Sequence, residues 1–186
     1  MDLKTRDMRS LVAIWQNCLR IDRDPTKTSR HASARRLLDE VDQEWERRSN
    51  WPVSKAFTWP TTNASAGRYG LVADDWTKDG LLKSMGYIVG NKGVERQLRE
   101  AILHGIFGCT VPPMFDQSYV AEWGIAKTPM RLEKMAGTIA ALTWNAKRRP
   151  DAKLESAIKD WENDLEFLYW NYYVGRFHFV WPKSRI

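Results

Sequence analysis

The sequence reads as a mainly α-helical protein: a single compact multi-helix domain with an aromatic loop and a short extended C-terminal tail. Apolar residues recur at helical spacing over most of 3–48 and 94–173, the pattern of helices that bury one stripe. Prolines fall at the joints between those stretches, where a missing N–H and a fixed φ end helices rather than break them. At 43% hydrophobic and 28% charged, the 186 residues make an ordinary globular chain, long enough to bury roughly 70% of its unfolded surface.

The first predicted helix covers residues 3–21, with Leu3, Met8, Leu11, Val12, Trp15, Cys18 and Leu19 near one face. A polar connector over 22–29 follows, with Ser29 or a near neighbour as the cap of a second helix over 30–48. Ala34, Leu37, Leu38, Val41 and Trp45 form its stripe, and Arg47 and Arg48 stand in the last turn, where cations suit the helix dipole. Residues 1–49 thus read as an αα-hairpin. The period is lost over 50–76, where Trp51-Pro52, Trp59-Pro60 and Gly67 mark a loop laid over the core by aromatic anchors. Residues 77–186 read as the helical core and tail.

In that part a helix returns over 77–85, and Gly86 to Gly93 brings a turn containing the apolar triplet Tyr87, Ile88 and Val89. Helices follow over 94–107 and 117–124. Thr128 before Pro129 is the expected start of a helix running to Ala146. Asp151 restarts one, and Leu154, Ile158, Trp161, Leu165, Leu168 and Tyr172 step by four and three, close to a heptad seam. Phe177, Phe179 and Trp181 alternate with Arg176, His178 and Val180, which predicts an extended tail with its aromatics on one face. They should bury against the last helix or against the loop of Trp51 and Trp59, leaving Arg176, His178 and Lys183 to solvent. The alternative fold is α+β, with a two-stranded ribbon pairing 87–89 with 177–180.

Ten tryptophans and a net charge of +6 set the functional question. Residues 1–50 hold 11 basic and 9 acidic side chains, 51–110 hold 7 and 5, and 111–186 hold 11 and 9. The excess is even, so only folding can gather it into a patch. Two cysteines are too few for a disulfide framework and suit a reducing cytosol. No run approaches the roughly 18–20 apolar residues of a membrane span, and the N-terminus lacks an apolar signal core.

Three basic clusters are candidate phosphate contacts. Arg30, Arg35 and Arg36, beside His31, stand near a helix start, where positive charge is unfavourable unless an anion meets it. Lys92, Arg96 and Arg99 lie on or beside a glycine-framed turn that opens a helix, a place where free N–H groups attract anions. Lys147, Arg148, Arg149 and Lys153 are the densest group and exceed what capping a helix end needs. The glycines at 86, 90 and 93 match neither a dinucleotide loop nor a triphosphate loop. Pro150-Asp151-Ala-Lys153 looks superficially like the core of the PD-(D/E)xK nucleases, but it falls at a helix boundary, where Asp151 serves as an N-cap. His31, His104 and His178 have no partner at metal-ligand spacing, and Cys109 has no basic flank to activate it. Glu155, Asp160, Glu162, Asp164 and Glu166 read as the solvated face of the last helix.

Three stretches resemble uncharacterised small bacterial proteins: Leu82-Lys-Ser-Met-Gly86-Tyr-Ile-Val-Gly90, Arg131-Leu-Glu-Lys-Met-Ala136, and Asp160-Trp-Glu-Asn-Asp-Leu165 leading to Tyr172-Tyr-Val-Gly-Arg-Phe-His-Phe-Val-Trp-Pro182. They span roughly 80–182. The resemblance implies a bacterial or mobile-element origin and brings with it no activity, cofactor or site. The expected function is therefore a non-catalytic nucleic-acid-binding protein, with DNA or RNA as partner and no cofactor, metal or membrane. The alternative is a helical protein-interaction subunit of a larger bacterial or mobile-element complex.

Overall fold

The computed structural model describes residues 2–49, 80–115, 117–148 and 152–182. Seven α-helices and no strand occur among them, so the two-stranded ribbon is not formed. The expected aromatic loop over 50–76 with its two Trp-Pro pairs, Arg149, Asp151 and Lys183 lie outside the described residues. None of the described helices is long and apolar enough to cross a membrane.

Helix α1, Met8–Arg23, begins where Asp7 caps it, its carboxylate accepting from the Ser10 N–H at 2.7 Å. Leu11, Val12, Trp15, Cys18 and Leu19 are its buried face. The predicted start at residue 3 is instead a turn, yet Leu3 is buried. Arg48 holds that turn in place by donating to the Leu3 and Arg6 carbonyls at 3.0 and 2.8 Å. The buried Glu44 carboxylate aims the Arg48 guanidinium at 2.6 Å and also binds Arg47, whose bond is the main cause holding its carboxyl at about 2. Arg48 is thus a tether for the N-terminus rather than only a dipole cation.

A single 3-10 turn, Pro25–Lys27, leads directly into α2, Thr28–Ser49. The cap of this junction is Asp24, which accepts from the Thr26 N–H at 2.9 Å, and not Ser29. Trp15 and Trp45 seal the α1–α2 hairpin with ring centroids 6.2 Å apart.

The second half packs onto this hairpin. After a short α3, Leu81–Ser84, comes α4, Arg96–Gly108, which crosses α1 at Gly105. A Cβ there would lie 2.4 Å from the Trp15 ring, so glycine sets how closely the two helices approach. Helix α5 spans Gln117–Trp123. Helix α6 spans Pro129–Lys147 and starts as predicted, with the Thr128 hydroxyl accepting from the Arg131 N–H. Leu132, Met135, Ala136, Ile139 and Ala140 form its buried stripe against α7, Glu155–Leu168.

The predicted seam does not stay α-helical to its end. Tyr169–Tyr173 is a π turn, closed by the Val174 N–H on the Tyr169 carbonyl at 3.1 Å. Five consecutive residues here, four of them aromatic, cannot all share one α stripe. The wider turn sends Tyr172 inward onto Phe107 at 4.6 Å and lets Tyr169 and Tyr173 stack outside at 5.3 Å.

The tail packs back on that outer pair. Trp181 meets Tyr169 and Tyr173 at 5.2 and 4.9 Å, and the Tyr173 hydroxyl donates to the Phe179 carbonyl. Phe177, Phe179 and Trp181 are half-buried while Arg176, His178 and Val180 are exposed, so the alternation holds but burial is partial. Truncation after Gly175 is accordingly expected to cost about 2–4 kcal/mol, less than three full aromatic burials would. In a thermal melt that is a fall of roughly 5–10 °C. A truncated chain melting within about 2 °C of the whole would mean the tail adds nothing to the core.

Candidate nucleic-acid interface

The turn between α3 and α4 is built by two glycines in left-handed backbone, Gly86 at φ +90 and Gly90 at φ +79. Gly90 also sits against α7, where a Cβ would come 3.2 Å from that of Ala157. Its N–H donates to the Asp160 carboxylate at 2.9 Å, so this turn amide is already met by a side chain of the protein. Asn91 and Ser156 join the next residue to the start of α7 at 2.8 Å. Lys92, exposed, therefore stands at the N-terminal end of α7.

Arg148 stands four residues before the 3-10 turn that opens α7. It caps α6 and is exposed. Lys153 follows on the 3-10 turn Ala152–Leu154 that opens α7, and it is exposed as well. The neighbouring Lys147 is instead drawn along α7 to Glu162 at 2.5 Å. Two basic clusters that are far apart in sequence thus each place a cation next to the elements that open α7.

The other predicted contacts are distributed differently. Arg30 is exposed on α2, but Arg35 is bound to Asp22 at 2.6 Å and Arg36 to Glu40 at 3.4 Å. His31 bonds the Asp24 carbonyl at 2.9 Å. Arg96 pairs with Glu100 at 2.8 Å on its own helix. Exposed pairs of this kind hold their cations only weakly, so a polyanion can compete for them.

Arg99 belongs to the interior. It is 4% exposed, and its guanidinium binds Asp164 through Nε at 2.8 Å, Asp160 through Nη2 at 2.9 Å and the Val94 carbonyl through Nη1 at 2.9 Å. The Tyr87 hydroxyl donates to the same Asp164 oxygen at 2.7 Å. Asp164 is fully buried, and Asp160 faces the turn, so neither belongs to a solvated helix face. Burial pushes the Asp164 carboxyl above its ordinary range while the Arg99 and Tyr87 bonds pull it down. This network clamps the 87–94 turn, α4 and α7 together. It positions Lys92 without offering Arg99 to an external anion.

A second basic surface, absent from the sequence reading, lies at the other end of α7. His104 Nδ1 and the Tyr172 hydroxyl are 2.5 Å apart. Burial pushes the imidazole below its ordinary value, and the charges of Arg23 and Lys127 act in the same direction. Burial raises the Tyr172 phenol to about 12 against the pull of Arg23 and Arg176. Arg23, Lys127 and Arg176 come from three different elements, so no local pattern in the sequence could have signalled them as a group.

The two cysteines among the described residues are not activated. Burial pushes the Cys109 thiol up to about 12 and raises Cys18 too, which keeps both as neutral, poor nucleophiles. No three His, Cys, Asp or Glu side chains gather there as a metal site. Comparison with protein-family models, with curated proteins and with solved structures finds no match for the chain.

Proposed function

We propose that the protein binds nucleic acid without catalysing a reaction, gripping the phosphate backbone with the cations at the start of α7. The observation that carries this reading is that Lys92 and Arg148, far apart in sequence, both stand next to the elements that open α7. Both are exposed and neither is in an ion pair among the described residues. The overall charge of +6 adds long-range attraction to a polyanion. A bacterial, cytoplasmic setting belongs to the same proposal.

The test is fluorescence anisotropy of a labelled oligonucleotide over a salt series from about 50 to 200 mM. Affinity should fall steeply with salt. The double variant Lys92→Gln/Arg148→Gln should reduce the slope of log K against log salt by roughly 1.5, since each lost phosphate contact removes about 0.7–0.9. Binding that ignores salt, or an unchanged slope in the double variant, would overturn the reading.

A second reading, a helical protein-interaction subunit of a larger complex, is favoured by a different feature. A cleft of about 430 Å³ lies between the 87–89 segment and helices α5, α6 and α7, lined by Tyr87, Ile88, Tyr119, Trp123, Leu142 and Trp161. Ile88 and Leu142 are 43% and 41% exposed on its rim, and the buried Trp123 indole N–H has no partner among the described residues. Apolar clefts with one orphan donor suit a partner's hydrophobic side chain. Ile88→Asp with intact nucleic-acid affinity but loss of a co-purifying partner would support it.

A further inference from the structure

The second surface, at the far end of α7, bears on which nucleic acid is bound, and this inference rests on the reading above. The α and π turns from Glu155 to Tyr173 count 14 and 5 residues, a span of about 25–28 Å at ~1.5 Å per residue. Lys92 and Arg148 stand at one end of that span. At the other, the His104–Tyr172 pair is fixed by Tyr172 packing on Phe107.

Three exposed cations surround the pair. Arg23 is the last residue of α1. Lys127 is held in left-handed backbone at φ +62, with its N–H on the Phe107 carbonyl at 2.9 Å and its stem lying along Gly108. Arg176 is set by the turn after the π segment, its N–H on the Tyr173 carbonyl at 3.1 Å. None of the three is in an ion pair among the described residues. Glu100, the carboxylate facing Tyr172 from α4, is taken by Arg96. The site is therefore positive around an uncharged donor pair.

Exposed aromatic surface lies on the same π turn as Tyr172. Trp170 is 63% exposed and meets Tyr169 edge-on at 5.2 Å. From Tyr169 the rings run on through Tyr173, Phe179 and Trp181, the last two stacked at 6.0 Å. A duplex keeps the faces of its bases inside its own stack and offers nothing to such rings. Unpaired bases have free faces, and aromatic side chains beside cations are how proteins hold them.

We infer that the partner is a single-stranded nucleic acid, with unpaired bases stacked on Trp170 and the tail rings and neighbouring phosphates held by Arg23, Lys127 and Arg176. The strand runs along α7 from this surface to Lys92 and Arg148. Exposed His104, its Nδ1 bonded to the inward-facing Tyr172 hydroxyl, faces the same phosphates as a hydrogen-bonding group.

The test uses the full chain with three labelled probes: a thymidine oligonucleotide of about 20 residues, its uridine counterpart, and a duplex of equal length. Wild type should bind one or both single strands at least tenfold more tightly than the duplex. The difference between the thymidine and uridine probes, which combines the 2′-hydroxyl with the thymine methyl, separates DNA from RNA as the preferred strand. Trp170→Ala should weaken single-strand binding by roughly 5- to 100-fold, and Trp170→Phe should restore most of it. The triple variant Arg23→Gln/Lys127→Gln/Arg176→Gln should flatten the single-strand salt slope by about 2. Trp170 is exposed, and an unchanged circular dichroism spectrum will confirm that its variants fold. Equal or tighter binding to duplex, or wild-type affinity in Trp170→Ala while Lys92→Gln/Arg148→Gln still weakens binding, overturns this inference and leaves the broader reading standing. No wild-type binding to any probe overturns both.

Discussion

Arg99→Met is expected to lower the free energy of unfolding by about 3–5 kcal/mol, the range for removing one partner of a buried ion pair. The size follows from what is left behind. Asp164 is fully buried, and without Arg99 only the Tyr87 hydroxyl remains on its oxygen. The Val94 carbonyl loses its donor in the same step, and Asp160 keeps only the Gly90 amide. A loss of that size is a large share of a typical stability of roughly 5–15 kcal/mol. Urea denaturation should show a lower midpoint with an unchanged slope. The double variant Arg99→Met/Asp164→Leu removes both charges and should recover most of the loss, because the cost lies chiefly in the orphaned carboxylate. A single variant that loses less than about 1 kcal/mol would mean that water reaches Asp164 and that the clamp is not what holds the turn to α7.

Arg131→Met should cost a comparable amount, about 3–5 kcal/mol, for a different reason. Arg131 is 1% exposed and meets no carboxylate among the described residues. Its guanidinium donates instead to four carbonyls: Trp123 through Nε at 2.8 Å, Ile106 and Cys109 through Nη1 at 2.6 and 2.9 Å, and Gly124 through Nη2 at 2.7 Å. These are the terminal carbonyls of α4 and α5, which have no partners within their helices and carry the negative ends of both dipoles. One planar cation therefore satisfies two helix ends and ties both to α6. Burial lowers its pKa from the ordinary value, but an arginine remains charged. Arg131→Lys keeps the charge and loses the fork, so it should recover only part of the stability. Full recovery by lysine, measured in the same denaturation series, would show that charge alone holds the junction.

Neither arginine could be assigned from its neighbours in sequence. Arg131 opens a helix whose stripe begins at Leu132 and reads as one more solvated cation. Arg99 sits three residues from Arg96, the spacing of a shared face, yet Arg96 is on the surface and Arg99 is in the core. The distinction comes from α7, which brings Asp160 and Asp164 across from some sixty residues away in the chain. The same crossing takes those two carboxylates out of what looks like an acidic, solvated run.

The local rules were legible wherever one residue and its near neighbours decide the outcome. The amphipathic stripes, the Thr128-Pro129 start, the α1–α2 hairpin and the alternation of the tail all follow from side-chain period and capping, which act within one or two turns. The π turn at Tyr169–Tyr173 was hidden, because it results from fitting Tyr172 against Phe107 and not from helical preference. The charge was legible only as a total. The sequence by itself determined a helical protein with an even excess of +6. The tertiary structure decided which cations turn inward to Asp164 or to helix-end carbonyls, which are matched by a carboxylate, and which face solvent at the two ends of α7. Burial and pairing across the fold make that choice, since a charge enters the interior only where a partner from another element meets it.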